Sequence, residues 1–388
     1  MSSLPEDIQV EILLKLPVKS LLTCKCVCKP WLNLISILKF IHDHLSLSIQ
    51  NKNNHKLMFT DTESDSGKPL IYSVDYGSIS SPPDLSCDYI GNEAILMGTP
   101  FEYKEGMEVR ILGACNGLFC FGICIDAETS ICIWNPATRE YKKIQHCDFR
   151  ITPKHFPTVG FGYDSKTGGY KMVKISDSIK TGCCEVEVYT FVGSHPSKTI
   201  HTFPYIRTFP MTIFFCGVKQ LYYYKVSVQG FSNSSILSFD TSNEKLTDVT
   251  LPEDSNVEMS HKTIGTLGGC LSLFLVNEKW IQAEIWVMQD YGVRKSWTKL
   301  FTTVQKQTTN CPFWMPILSL KNGDIPICND AGFVLCDPRN ERVGKVSSFF
   351  RKNNITVRTF TMLMARPESY VESLVSLNSG AYVKKPKG

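Results

Sequence analysis

The chain has 388 residues, 43% of them hydrophobic and 20% charged. That is a globular composition with too much apolar material for disorder, and the length exceeds what one small domain usually holds. Forty-one basic against 37 acidic residues leave a net charge of +4, which gives no footprint for nucleic acid or for a membrane surface.

The start, MSSLPEDIQVEILLKL, carries acids early and lacks the basic and then apolar runs of a secretory signal. The most apolar stretch, residues 267–276, is about half of a membrane span. The 16 cysteines are therefore expected to be reduced small hydrophobes in a cytoplasmic or nuclear protein. Cys24, Cys26 and Cys28 form a CxCxC run and Cys183 adjoins Cys184. Neither has zinc-site spacing, so no metal is expected.

Residues 1–46 read as helical. Leu4, Ile8, Ile12 and Leu16 recur at every fourth position and form one stripe of a helix. Ser3 with Glu6 resembles a capping box, Pro5 suits a first turn, and Pro17 stops the helix. Two more apolar clusters, VKSLLTCKCV and WLNLISILKFIHDHL, predict a second and a third helix, the third starting at Pro30. Of these 46 residues 24 are apolar. Three short helices cannot bury that many side chains among themselves, so either a partner or the rest of the chain covers the surplus.

From about residue 50 the pattern becomes short runs rich in Val, Ile, Tyr, Phe and Thr, broken by Gly, Asn, Asp and Pro. Four segments share a motif: W-N-P-A-T-R-E-Y from Trp134, Y-D-S-K-T-G-G-Y from Tyr163, F-D-T-S-N-E-K-L from Phe239 and C-D-P-R-N-E-R-V from Cys336. In each, an Asn or Asp side chain can cap its own turn while the chain doubles back as a hairpin. The anchors Asn135, Asp164, Asp240 and Asp337 are 29, 76 and 97 residues apart. The two larger gaps each fit two units of about 40–50 residues, the size of a propeller blade; the first fits neighbouring hairpins. The segment from Glu284 to Trp297 lacks the motif but falls between the last two anchors. The pattern predicts a β-propeller of six or seven blades, with a large β-sandwich as the alternative. The run from Ser369 to Leu377 is expected to close the ring by pairing with a strand at residues 55–60 or 69–74, since an unclosed propeller leaves strand edges exposed.

Residues Leu4-Pro5-Glu6-Asp7-Ile8, Glu11-Ile12-Leu13, Leu16-Pro17-Val18-Lys19-Ser20-Leu21 and Lys25-Cys26-Val27-Cys28-Lys29-Pro30-Trp31 resemble the F-box motif. Cys115-Asn116-Gly117-Leu118, Trp134-Asn135-Pro136-Ala137-Thr138-Arg139, Gly160-Phe161-Gly162-Tyr163-Asp164, Tyr170-Lys171-Met172-Val173, Glu187-Val188-Tyr189 and the EIWVMQDYGV…SWTKL stretch resemble the F-box-associated, kelch-like domain of plant F-box proteins. The S-locus and defence-regulating F-box groups share this layout, and the resemblance spans residues 4–377. It implies an F-box domain at 1–46 made of three helices, an associated domain at 47–380 and a basic flexible tail at 381–388. It also implies a substrate-recognition subunit of an SCF-type ubiquitin ligase. The F-box would grip a Skp1-like adaptor, and through it a cullin and a RING subunit, while the larger domain holds a protein substrate. By position in the motif, Leu4, Pro5, Ile8, Ile12, Leu16, Pro17, Leu21, Val27 and Trp31 are the expected adaptor contacts, some of them shared with internal packing. Leu13, Leu22 and Leu34 read as internal. Cys28 stands where the family often has Ser, a better helix cap. Lys25 and Lys29 read as a solvated basic face.

No GxSxG, HExxH, GxxxxGK[ST] or complete GxGxxG motif occurs. The reading is a non-catalytic receptor without cofactors; the alternative is a propeller enzyme or scaffold outside ubiquitination. Binding residues concentrate on loops carried by a rigid scaffold. The loops at 61–68, 76–105, 146–157, 194–210 and 302–316 are therefore the substrate candidates. Tyr103, Phe149, Arg150, His155, Tyr205, Arg207 and Trp314 are their generic contact types.

Overall fold

The computed structural model describes residues 4–63, 66–79, 94–126, 128–144, 158–178, 183–191, 197–203, 213–215, 220–228, 231–253, 261–276, 282–304, 315–316, 323–329, 332–339, 342–343 and 367–378. The capping box at Ser3, the basic tail at 381–388 and the candidates Phe149, Arg150, His155, Tyr205, Arg207 and Trp314 lie outside these residues.

The chain begins with four helices where three were expected: α1 (Glu6–Leu14), α2 (Val18–Cys24), α3 (Lys29–Ser36) and α4 (Leu38–Gln50). Pro5 and Pro17 are the N-caps of α1 and α2, and Cys28 is the N-cap of α3 without a side-chain cap bond. The third apolar run is two helices because the backbone turns extended at Ile37 (φ −73°, ψ 142°). That break lets Ile35 of α3 and Phe40 and Ile41 of α4 enter one core with Leu13, Val18 and Leu21. Helix α4 continues past residue 46, so the helical part is longer than expected.

Six four-stranded antiparallel sheets follow among the described residues. The first holds β1 (His55–Thr62), β2 (Pro69–Asp75) and β3 (Ile95–Leu96). The second holds β4 (Glu108–Cys115), β5 (Leu118–Ile125), β6 (Glu128–Trp134) and β7 (Tyr141–Ile144). The third holds β8 (Thr158–Asp164), β9 (Gly169–Ser178), β10 (Cys183–Phe191) and β11 (Ser197–Phe203). The fourth holds β12 (Ile213–Phe215), β13 (Gln220–Val228), β14 (Phe231–Asp240) and β15 (Lys245–Val249). The fifth holds β16 (His261–Leu267), β17 (Cys270–Val276), β18 (Gln282–Met288) and β19 (Trp297–Val304). The sixth holds β20 (Met315–Pro316), β21 (Ile325–Asn329), β22 (Gly332–Asp337) and β23 (Arg342–Val343). The last strand, β24 (Glu368–Val371), returns to the first sheet beside β1.

Strand β5 shows why the sheets stack. Its sequence LFCFGICI is apolar at nearly every position, and successive side chains point to opposite faces. Leu118 and Cys120 enter a core with Phe161 and Met172 of the third sheet. Phe119, Phe121 and Ile123 enter another with Met58 and Ile71 of the first. The fifth sheet repeats the arrangement, with Leu271, Leu273 and Leu275 packed toward Ile236 and Val249, and Phe274 and Ile285 toward Ile325 and Ile327. The edge strands β24, β4, β8, β12, β16 and β20 adjoin in succession, and β4 also meets β12. Sheets that face one another in turn, with one edge of each directed to a shared centre, form a β-propeller and not the two layers of a sandwich.

The repeat motif marks real hairpins. Asn135, Asp240 and Asp337 each open the turn from the third to the fourth strand of a sheet, and Asp164 opens the turn from the first to the second strand of the third sheet. The short first gap is therefore a step between neighbouring hairpins. Each Oδ1 accepts backbone N–H bonds from its own turn, as from Lys166 to Asp164 (3.0 Å) and Ser242 to Asp240 (2.9 Å). Trp134, Phe239 and Cys336 before the anchors are buried, and Tyr163 is half-buried.

Ring closure follows the expected pairing. His55 lies opposite Val371, Lys56 opposite Tyr370 and Leu57 opposite Ser369. The pairing strand is shorter than the run at 369–377, and residues 372–378 continue without strand structure.

Candidate adaptor-docking surface and its supports

Helix α1 is apolar on two sides. Leu13 is buried and Val10 and Leu14 pack beside it, against the helical core. The stripe at every fourth position faces out: Leu4 is 55%, Ile8 44% and Ile12 48% exposed. Pro5 and Pro17 are exposed at either end of α1, and Val27, between α2 and α3, is 64% exposed. A short helix apolar on both faces is not finished by its own core.

The remaining expected contacts divide. Leu16 and Trp31 are half-buried and pack against the helical core. Leu21 is completely buried, so its work is packing inside the helical unit. Leu13 is buried and Leu22 and Leu34 partly so, as internal residues should be. Leu32 on α3, Ile37 at the break, and Leu38, Leu47 and Ile49 on α4 are further exposed apolar residues. Only their burial reveals them, since their spacing equals that of core positions.

Three side chains shape this surface from beneath. Trp31 Nε1 donates to Gln9 Oε1 (3.0 Å), and Gln9 Nε2 donates to the Leu4 carbonyl (2.7 Å). The chain entering α1 is thereby tied to α3. His44 of α4 is buried, and its Nε2 donates to the Leu16 carbonyl (2.9 Å), which fixes the turn between α1 and α2. Gln9 and His44 carry no motif signal.

Lys25 departs from the expected solvated basic face. It is half-buried at the end of α2. Burial lowers its ammonium pKa, and Glu140 of the second sheet opposes that shift. Lys29 is exposed, as a solvated face requires. Cys26 and Cys28 are exposed and Cys24 is half-buried.

The helical unit rests on one end of the sheets. Leu374 is buried in the helical core, with Val375 and Ala137 beside it. Ala137 lies in the β6–β7 turn. In an antiparallel meander this end also carries the β4–β5 turn, whereas the β1–β2 and β5–β6 turns lie at the opposite end. Tyr103 belongs with that opposite end: its hydroxyl donates to the Ser66 carbonyl of the β1–β2 turn, and its ring packs on the core between the first two sheets. It is thus a strut between two loop segments.

Comparison with known proteins agrees with this division. Residues 1–43 match the F-box domain, and residues 84–377 match the F-box associated beta propeller domain. The chain belongs to the F-box proteins that carry an F-box-associated β-propeller. It is 27% identical to the F-box protein CPR1 of Arabidopsis thaliana, over 79% of this chain and 74% of that one. It is also 27% identical to an F-box/kelch-repeat protein of Arabidopsis thaliana, over 81% of this chain and 83% of that one. Among solved structures, the β-propeller domain of the Trilobed protease from Pyrococcus furiosus aligns at 8% identity. The alignment covers 76% of this chain and 81% of that one, with a TM-score of 0.39.

Proposed function

We propose that this chain is the non-catalytic substrate receptor of an SCF-type ubiquitin ligase. Its helical part binds a Skp1-like adaptor, and through it a cullin and a RING subunit. The observation that carries this is the outward stripe Leu4, Ile8 and Ile12 with Val27, on helices that already own a core. Pro5, Pro17, Leu16 and Trp31 border and support that stripe. We read the six sheets as six blades and place the F-box domain at residues 1–46, with α4 running on to Gln50. A protein substrate is held at the end of the sheets away from the helices, where Tyr103 braces the β1–β2 turn. Work in the cytoplasm or nucleus is consistent with every described helix being too short or too polar to cross a membrane.

The test uses Ile8→Asp with Ile12→Asp. Both side chains are exposed and outside the helical core, so the fold should survive. Leu16→Asp is a poorer choice because Leu16 packs internally. Burying an unpaired carboxylate in an apolar interface costs several kcal/mol, and each 1.4 kcal/mol is tenfold in affinity. Capture of a Skp1-like protein should fall at least a hundredfold with the melting curve unchanged. Wild-type capture by the double variant would end the receptor reading.

A further inference from the structure

The anchor residues of the four matching hairpins differ in one side-chain group. Asp164, Asp240 and Asp337 are carboxylates; Asn135 is an amide. All four accept backbone N–H bonds through Oδ1, for Asn135 from Ala137 (2.9 Å) and Thr138 (3.2 Å). Asn135 is completely buried, and its Nδ2 donates to the carbonyls of Ser373 (3.1 Å) and Val375 (2.8 Å). A carboxylate there would turn an oxygen toward two carbonyl oxygens with no proton to give. The turn accepts either residue; the C-terminal segment accepts only the amide.

That segment, residues 372–378, is held along its length. Ser373 Oγ donates to the Asn116 carbonyl (2.7 Å), and Ser376 Oγ donates to Glu140 Oε2 (2.7 Å), the carboxyl that also faces Lys25 of α2. Gly117 lies directly beneath, where a Cβ would come 2.5 Å from Ser373 Oγ. Between these ties Leu374 projects into the helical core beside Leu13, Leu21 and Ile35.

We propose that Asn135 is a positioning residue: through residues 372–378 it fixes the helical unit in one orientation on the sheets, so that a protein held by the sheets faces the ligase in one direction. The functional consequence rests on the receptor reading above; the fixed joint is tested without an adaptor. The experiment compares the full chain with Asn135→Asp, which keeps the turn and loses both donated bonds, and with Leu374→Ala, which loosens the joint from the other side. Trypsin cleavage after Lys52, exposed between α4 and β1, should accelerate at least tenfold in both variants. Small-angle scattering should show a broader distance distribution, while cleavage within the fourth to sixth sheets keeps its wild-type rate. Unchanged cleavage after Lys52 overturns the proposal. So does a parallel acceleration at every site with a lower melting temperature, because Asn135 would then serve only general stability. If Asn135→Asp yields no soluble chain, Leu374→Ala carries the comparison alone, with the same two outcomes. A wild-type chain that captures no Skp1-like protein would end the receptor reading and leave the proteolysis result standing.

Discussion

Removing the Tyr370 side chain should open the ring. Tyr370 lies on β24 and is buried against both the first and the second sheet. Its ring meets that of Phe119 edge-on, with centroids 4.9 Å apart, and its hydroxyl shares a 2.8 Å bond with Ser73 Oγ. Truncating a buried aromatic to alanine costs about 3–5 kcal/mol. Stranding the buried Ser73 hydroxyl adds about 1–3 kcal/mol. Tyr370→Ala should therefore lose roughly 4–8 kcal/mol, against a total stability of about 5–15 kcal/mol for a typical domain. With a urea slope near 3 kcal/mol/M, the midpoint should fall by about 1–3 M, read from the fluorescence of Trp134 in the same core. Tyr370→Phe keeps the ring and strands the same Ser73 hydroxyl, so it should cost only about 1–3 kcal/mol. Adding Ser73→Ala to it should recover part of that loss, because no polar group is then stranded. A Tyr370→Ala chain that unfolds at the wild-type midpoint would show that β24 does not hold the ring shut, and the account of closure would fail.

Cys28→Ser supplies the missing cap of α3 and should stabilise the helical unit by about 0.5–1 kcal/mol; a midpoint at or below wild type contradicts that. Gly117→Ala forces a left-handed φ of +79° onto a residue with a Cβ, worth about 1–2 kcal/mol, and drives that Cβ into Ser373. It should lower the melting temperature and also speed cleavage after Lys52. The acid limb has a defined sign. Burial raises the pKa of Asp164, Glu187 and Glu244, but hydrogen bonds from Ser242, Thr167 and Lys171, from Lys174, Lys198 and Tyr189, and from His201, Lys171 and Thr199 respectively outweigh it and hold all three below the usual carboxylate range. The stability they contribute is complete above the unfolded values of about 4 and drains away as pH falls through the lower folded ones. The urea midpoint should thus hold from pH 7 to about pH 5 and drop below about pH 4; a midpoint flat to pH 3 would refute it.

The parts of this fold that were legible in the sequence are those set by short-range chemistry. The Asx-capped hairpins at Asn135, Asp164, Asp240 and Asp337 follow from what one side chain does to its own turn, and they recur where the motif places them. The closing pairing was legible because an unclosed ring leaves strand edges exposed, and β24 pairs with β1; the later apolar residues of that run, Leu374, Val375 and Leu377, lie beyond the strand and pack on the helical core or between the second and third sheets. The break at Ile37 was not. Neither Gly nor Pro marks it, and an uninterrupted apolar run is equally consistent with one long helix. Only the need to direct Ile35 and Phe40 into one core sets the two helices apart.

The docking surface illustrates a different limit. A period of four places Leu4, Ile8 and Ile12 on one side of α1 but leaves open whether that side is inward or outward, since Leu13 with Val10 and Leu14 supplies a second apolar side. Composition adds only that a surplus exists: 24 apolar residues among the first 46 exceed what so small a unit can bury, and it leaves open which helix carries the surplus and what covers it. The two possible covers for that surplus, a partner and the rest of the chain, are not exclusive. Leu374 and Val375 cover part of the helical core from within the chain, while Leu4, Ile8, Ile12 and Val27 stay uncovered. The division has a physical logic. A joint inside the chain can rely on fixed hydrogen bonds, such as the pair donated by Asn135, because its geometry never has to be remade. A surface that takes up and releases a partner is better made of exposed apolar side chains, which strand no buried polar group when the partner leaves.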